Sequence, residues 1–98
     1  MLEKVPLDNG TVRVTFRISR EIWADRIALV GDFNNWDLHR HCLRQTRDDE
    51  NWHITLELEA GRAYRFRYVL DEGEWICDDH ADGCIPDPYG GFDSVVYT

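Results

Sequence analysis

Trp36, Arg67 and Trp75 are the residues whose types and spacing point to chemistry. Trp36 sits in the stretch Gly31-Asp32-Phe33-Asn34-Asn35-Trp36-Asp37, where two consecutive asparagines tolerate the left-handed backbone of a sharp corner and bond their own main chain. Trp75 follows a second turn, Asp71-Glu72-Gly73-Glu74. Arg67 alternates with Phe66 and Tyr68, so on a strand it faces away from them, and its planar fork suits a pair of vicinal hydroxyls. Exposed aromatic planes beside planar hydrogen-bonding groups fit a ring with flat C–H faces and hydroxyl edges, which describes a sugar. Asn34, Asn35 and Asp93 offer further bonds. The opposing reading is structural: Trp36 folds back over the sheet edge, the asparagines serve only the turn, and Arg67 is a solvated outer-face charge.

Two ring contacts are worth roughly 0.5–1.5 kcal/mol each beyond area burial, and three or four hydrogen bonds about 0.5–1.5 net. Against an association cost of at least ~4 kcal/mol, and with apolar area added, the sum is about -4 to -7. The expectation is weak binding to a long polymer, with a Kd from about 10 μM to 1 mM.

The elements that must position these residues are strands. Thr11 to Ile18 alternates, with Val12, Val14, Phe16 and Ile18 on one face. Arg26 to Val30 is a short buried strand ending in the asparagine corner. Trp52, Ile54, Leu56 and Leu58 share the next face, and Glu59-Ala60-Gly61-Arg62 is a hairpin-length connection. Tyr64, Phe66, Tyr68 and Leu70 alternate with Arg65, Arg67 and Val69. A brief strand at Trp75-Ile76-Cys77 and a last one at Ser94–Tyr97 complete the set. Arg20 to Arg26 has room for one helical turn, with Trp23 expected as a lid over the core edge rather than as a ligand platform. Asp78 to Asp93 is acidic and unpatterned, and reads as a long surface loop. Short strands without a sustained helical period predict an all-β sandwich. A single domain over 1–98 is expected, with residues 1–10 as an N-terminal extension.

The chain carries 11 basic against 19 acidic residues, a formal net charge of -8, which opposes a phosphate backbone or an anionic membrane as partner. No apolar run is long enough for a signal peptide or a membrane helix, so a soluble cytoplasmic protein is the expectation. Free thiols are expected at Cys42, Cys77 and Cys84, with a Cys77–Cys84 bridge as the alternative. No cofactor or metal is implied. His39 and His41 share a strand face, but two ligands do not close a zinc site. Asp78, Asp82 and Gly83 imitate a calcium loop whose bidentate glutamate position holds Tyr89. A glycosidase needs two carboxylates across a cleft; a sandwich of this size offers faces and edges instead, and catalysis is not expected.

Three ordered blocks, Gly31 to Asp37, Ala60 to Tyr68 and Asp71 to Trp75, resemble the isoamylase N-terminal "early set" domains. These include the family-48 carbohydrate-binding modules and the glycogen-binding domain of the AMP-activated kinase β subunit. The similarity runs from about residue 11 to the C-terminus, and the ending Pro86 to Val96 looks like that of short bacterial free-standing members. The resemblance implies an immunoglobulin-like sandwich of about 7–8 antiparallel strands that binds α-1,4-glucans such as glycogen or starch without catalysing a reaction. It implies Trp36 and Trp75 as two platforms and Arg67 as the basic residue between them, and puts the inserting loop near Tyr89, Gly91 and Asp93. Implied partners are an α-glucan polysaccharide or oligosaccharide and a glucan-metabolising enzyme. The alternative is a protein-interaction domain that keeps the fold and uses its sheet face or acidic final loop.

Overall fold

The computed structural model describes residues 2–98. Eight strands form it: β1 (Leu2–Pro6), β2 (Thr11–Ile18), β3 (Ile27–Gly31), β4 (Trp52–Glu59), β5 (Ala63–Leu70), β6 (Glu74–Ile76), β7 (Gly83–Pro86) and β8 (Phe92–Tyr97). All pairings are antiparallel. One sheet has the order β1-β2-β4; the other runs β3-β5-β8-β7, with β6 also on β5. The all-β sandwich expected from alternation is therefore the fold.

Alternation does the sorting. Val12, Val14 and Phe16 of β2 and Phe66, Tyr68 and Leu70 of β5 meet in one cluster between the sheets. Phe16 packs edge-on against Phe66 with centroids 5.1 Å apart, and Phe66 likewise against Tyr68 at 5.7 Å. Gly31, at the end of β3, lets the backbones close: a Cβ there would lie 2.5 Å from the Arg65 carbonyl oxygen and 2.9 Å from Phe66 Cβ. No other residue fits that approach.

The segment after the asparagine corner straps the two sheets together. Leu29 N–H donates to His41 O (2.9 Å) and Leu43 N–H to Ile27 O (2.8 Å), while Arg44 and His53 exchange both backbone bonds at 2.9 and 2.8 Å. Thus residues 41–43 bond β3, the next residue bonds β4, and buried Leu43 plugs the seam.

Three sequence expectations are corrected, and one strand is added to those expected. Trp23 is 92% exposed and no lid: Ile22 and Ala24 on either side of it pack against the core, so the residue between them turns outward. Residues 20–26 form turns and irregular backbone with no helical turn. The added strand is β1, whose five residues, Leu2–Pro6, pair fully with β2. The stretch from 78 to 93 includes β7, paired to β8 from Gly83↔Val95 to Pro86↔Phe92. Asp78, at its start, is buried, accepts the Tyr68 hydroxyl bond at 2.8 Å and bonds Ser94 Oγ through its N–H at 2.7 Å.

Candidate functional site

Register places most of the singled-out residues on one surface. Phe66 and Tyr68 face the core, so Arg65, Arg67 and Val69 cover the outer face of the five-stranded sheet. Val69 lies between Ala28 of β3 and Trp75 of β6, and Val30 is opposite Arg67. Residues paired directly across antiparallel strands share a face, and neighbouring strands lie about 4.8 Å apart. Ala28, Val69 and Trp75 thus form a row across three strands. Trp75 is 44% exposed.

Trp36 reaches the same patch from the corner. Asn34 builds the corner: its Oδ1 accepts from Gly31 N–H (3.1 Å), and its Nδ2 donates to Leu29 O (2.9 Å) and His41 Nδ1 (3.0 Å). Asn34 is buried, so it serves the turn and offers nothing to a ligand. Asn35 and Trp36 follow with φ of 57° and 58°, a region that costs a bulky side chain roughly 1–2 kcal/mol. The indole is held there by packing on the Ala28–Val30–Val69 cluster and by its Nε1–H bond to Asp32 Oδ1 at 3.2 Å. Trp36 is therefore half-buried, part of the fold and part of the surface at once, while Asn35 stands exposed beside it.

Arg67 faces outward as its register requires, but it is not solvated. Its Nε donates to Asp93 Oδ1 at 2.6 Å, and its Nη2 to Asp87 Oδ2 at 3.3 Å. The Arg67 side chain keeps 17% of its exposure and Asp93 only 6%; Arg65 approaches the other Asp93 oxygen at 3.7 Å. Asp93 therefore orients the guanidinium from below, and its own oxygens are occupied by arginines.

Asp87 also shapes the loop overhead. It accepts from Tyr89 N–H through Oδ1 (2.8 Å) and from Gly90 N–H through its carbonyl (3.0 Å), and donates its own N–H to Gly91 O (3.0 Å). Tyr89 consequently projects at the loop tip, 98% exposed. Gly91, at φ 79°, would bring a Cβ to 3.6 Å from Arg67 Nη2, so the absence of a side chain leaves the fork uncovered at that point. Asp87 was not singled out from the sequence, although the Asp87-Pro88-Tyr89-Gly90 run is a turn signal. Asp32, which holds both the Trp36 indole and Arg65 N–H (2.8 Å), carries no sequence signal of its role.

The groups set aside from the sequence do not converge on a metal or disulfide site. No cluster of three or more metal-ligating side chains occurs among the described residues, and Cys42, Cys77 and Cys84 are free thiols. His39 lies 3.6 Å from Glu72, whereas His41 is tied by its Nδ1 to Asn34 of the corner at 3.0 Å.

Residues 22–90 match the family model of carbohydrate-binding module 48 (isoamylase N-terminal domain). The chain is similar to the 1,4-alpha-glucan branching enzyme GlgB of Paramagnetospirillum magneticum, 34% identical over 96 residues that make up 94% of this chain and 12% of that enzyme. The same enzyme of Agrobacterium fabrum is 42% identical over 59 residues, 56% of this chain and 8% of the enzyme. That of Mesorhizobium japonicum is 38% identical over 56 residues, 53% and 8%. The chain spans about a tenth or less of the length of these relatives. Trp36, Arg67, Trp75 and Tyr89 fall inside the matched span, and Asp93 just beyond it.

Proposed function

The chain belongs to the carbohydrate-binding module 48 (isoamylase N-terminal domain) family, and we propose that it is a non-catalytic module that binds α-1,4-glucans such as glycogen. The observation that carries this reading is the shared outer face of the five-stranded sheet, where Trp36 and Trp75 flank the Ala28–Val69 pair and Arg67 lies next along β5. A glucan laid across the face would stack one ring on Trp75 and another beside the open part of Trp36. The Arg67 fork, oriented by Asp93 and Asp87, would bond a pair of hydroxyls, with Asn35 and Tyr89 at the margins. Trp36 and Asp93 are built into the fold, so the face is preformed and little ordering opposes binding. Affinity electrophoresis tests it: retardation in a glycogen gel, released by soluble maltooligosaccharide and absent in a β-linked glucan, is expected. Equal mobility in all gels refutes the reading.

An accessory role beside a glucan-metabolising enzyme is the second reading. Trp23, 92% exposed, favours it, being next in sequence to Ile22, which lines a cleft of about 430 Å³ with Ile18 and Ile76. Trp23→Ala is then expected to weaken co-purification with such an enzyme while leaving glycogen retardation unchanged.

A further inference from the structure

A second cleft, of about 550 Å³, opens between the strap and β4, lined chiefly by Arg40, His41, Cys42, Arg44, His53 and Thr55. Its charge is opposite to that of the chain as a whole. Acidic residues outnumber basic ones 19 to 11, so a surface cation readily finds a carboxylate. Lys4 and Arg13, Arg17, Arg20, Arg26, Arg62, Arg65 and Arg67 all do. Arg40, Arg44 and Arg47 form no ion pair among the described residues, and two of these three line this one cleft, whose walls contain no carboxylate.

The backbone holds the lining together. Arg44 and His53 are a doubly hydrogen-bonded pair across the strap and β4, so their side chains emerge on the same side. His41 contributes a donor of fixed direction. Asn34 Oδ1 is committed to Gly31 N–H, so its Nδ2 donates to His41 Nδ1; the ring proton of neutral His41 then sits on Nε2, on the far side of the ring. Burial, followed by the neighbouring Arg40 and opposed by Asp37, holds the His41 pKa below its ordinary value, so the ring is neutral near neutral pH.

We propose that this cleft binds a phosphate monoester group, carried on a small molecule such as a sugar phosphate. Two guanidinium forks offer bidentate recognition of phosphate oxygens, the two imidazoles stand beside them, and the volume is that of a small-molecule site. The site lies on the strap and β4, not on the outer face that carries the two indoles, and does not depend on the glucan reading.

The test is an NMR titration of the whole chain with inorganic phosphate and, separately, with a hexose phosphate, at ionic strength held constant with chloride, following the His41 and His53 ring resonances. Saturable shifts are expected with either probe. Tighter binding of the hexose phosphate assigns the sugar to the cleft as well; equal binding assigns the phosphate alone. Arg40→Gln combined with Arg44→Gln is expected to weaken binding at least about tenfold, the loss of charge-assisted hydrogen bonds. Arg47→Gln, which removes an equally unpaired arginine outside the cleft, is expected to bind as wild type. Absence of saturation with both probes, an equal loss in Arg47→Gln, or saturation by an acidic peptide but not by phosphate overturns the proposal.

Discussion

The two indoles of the sheet face differ in how they are held, and that difference can be measured. Trp75 is 44% exposed, so of the roughly 250 Å² that an indole offers, about 100 Å² is open to a ligand. Covering most of it contributes about 2 kcal/mol at ~25 cal/mol per Å², and stacking adds about 0.5–1.5. Trp75→Ala is therefore expected to weaken glycogen binding by about 2.5–3.5 kcal/mol, or about 70- to 350-fold. It should lower stability by only about 1 kcal/mol, since much of the ring is already in water. Trp36→Ala removes a half-buried ring from Ala28, Val30 and Val69 and so costs about 2 kcal/mol of stability together with affinity. Affinity electrophoresis in graded glycogen gives one axis and urea unfolding the other. If the wild type is retarded and Trp75→Ala is retarded equally, the sheet face is not the glucan site and the reasoning fails.

Other outcomes follow from the core and its charges. Gly31→Ala forces a Cβ to within 2.5 Å of a β5 carbonyl oxygen, and should destabilise by about 3 kcal/mol, read as a lowered urea midpoint; a wild-type midpoint would contradict the close approach. Tyr68 is buried against Asp78, and burial first, then the carboxylate, pushes its pKa well above the usual tyrosine value. A folded pKa above the unfolded one means that this contribution to stability is intact below about pH 10 and is lost as pH rises beyond it. In an alkaline ultraviolet titration Tyr68→Phe should remove the ionisation step that coincides with unfolding. Asp49 moves the other way: the Arg17 hydrogen bond leads the causes that lower its pKa, so its contribution is present above about pH 4 and fades as pH falls further. Stability curves of wild type and Asp49→Asn should converge in acid; a constant gap down to about pH 2 would refute the assignment.

The long ladders were legible because alternation is a local property. Val12-Val14-Phe16 and Phe66-Tyr68-Leu70 name their own inner face, and Arg67 takes the outer one without reference to any partner strand. Trp23 misled for a related reason: a large aromatic suggests burial, but Ile22 and Ala24 on either side of it had claimed the inward positions. β1 and β7 carry no such signature because each is short, without a sustained apolar alternation of its own, and exists through pairing to the strand that follows it, with registers such as Leu2↔Phe16 and Gly83↔Val95. At the site, the direction of Arg67 was readable but its surroundings were not. That Asp93 lies beneath it and Asp87 beside it depends on β8 and the final loop returning to β5, a contact between positions 20 or more apart in sequence.

The strap also governs how this chain meets copies of itself. A sandwich of open sheets exposes strand edges that can template intermolecular pairing. Along one seam the bonds from β3 to His41 and Leu43, and from β4 to Arg44, occupy main-chain groups that would otherwise be free. The opposite edges are β1 and β7, and each ends in a proline, Pro6 and Pro86, a residue with no N–H to donate to an added strand. β1 also carries Lys4, tied to Asp82 at 2.7 Å and to the Tyr97 carbonyl at 3.2 Å. The chain is thus protected against fibrillar stacking along one seam by its own main chain, and along the other by two prolines and a lysine.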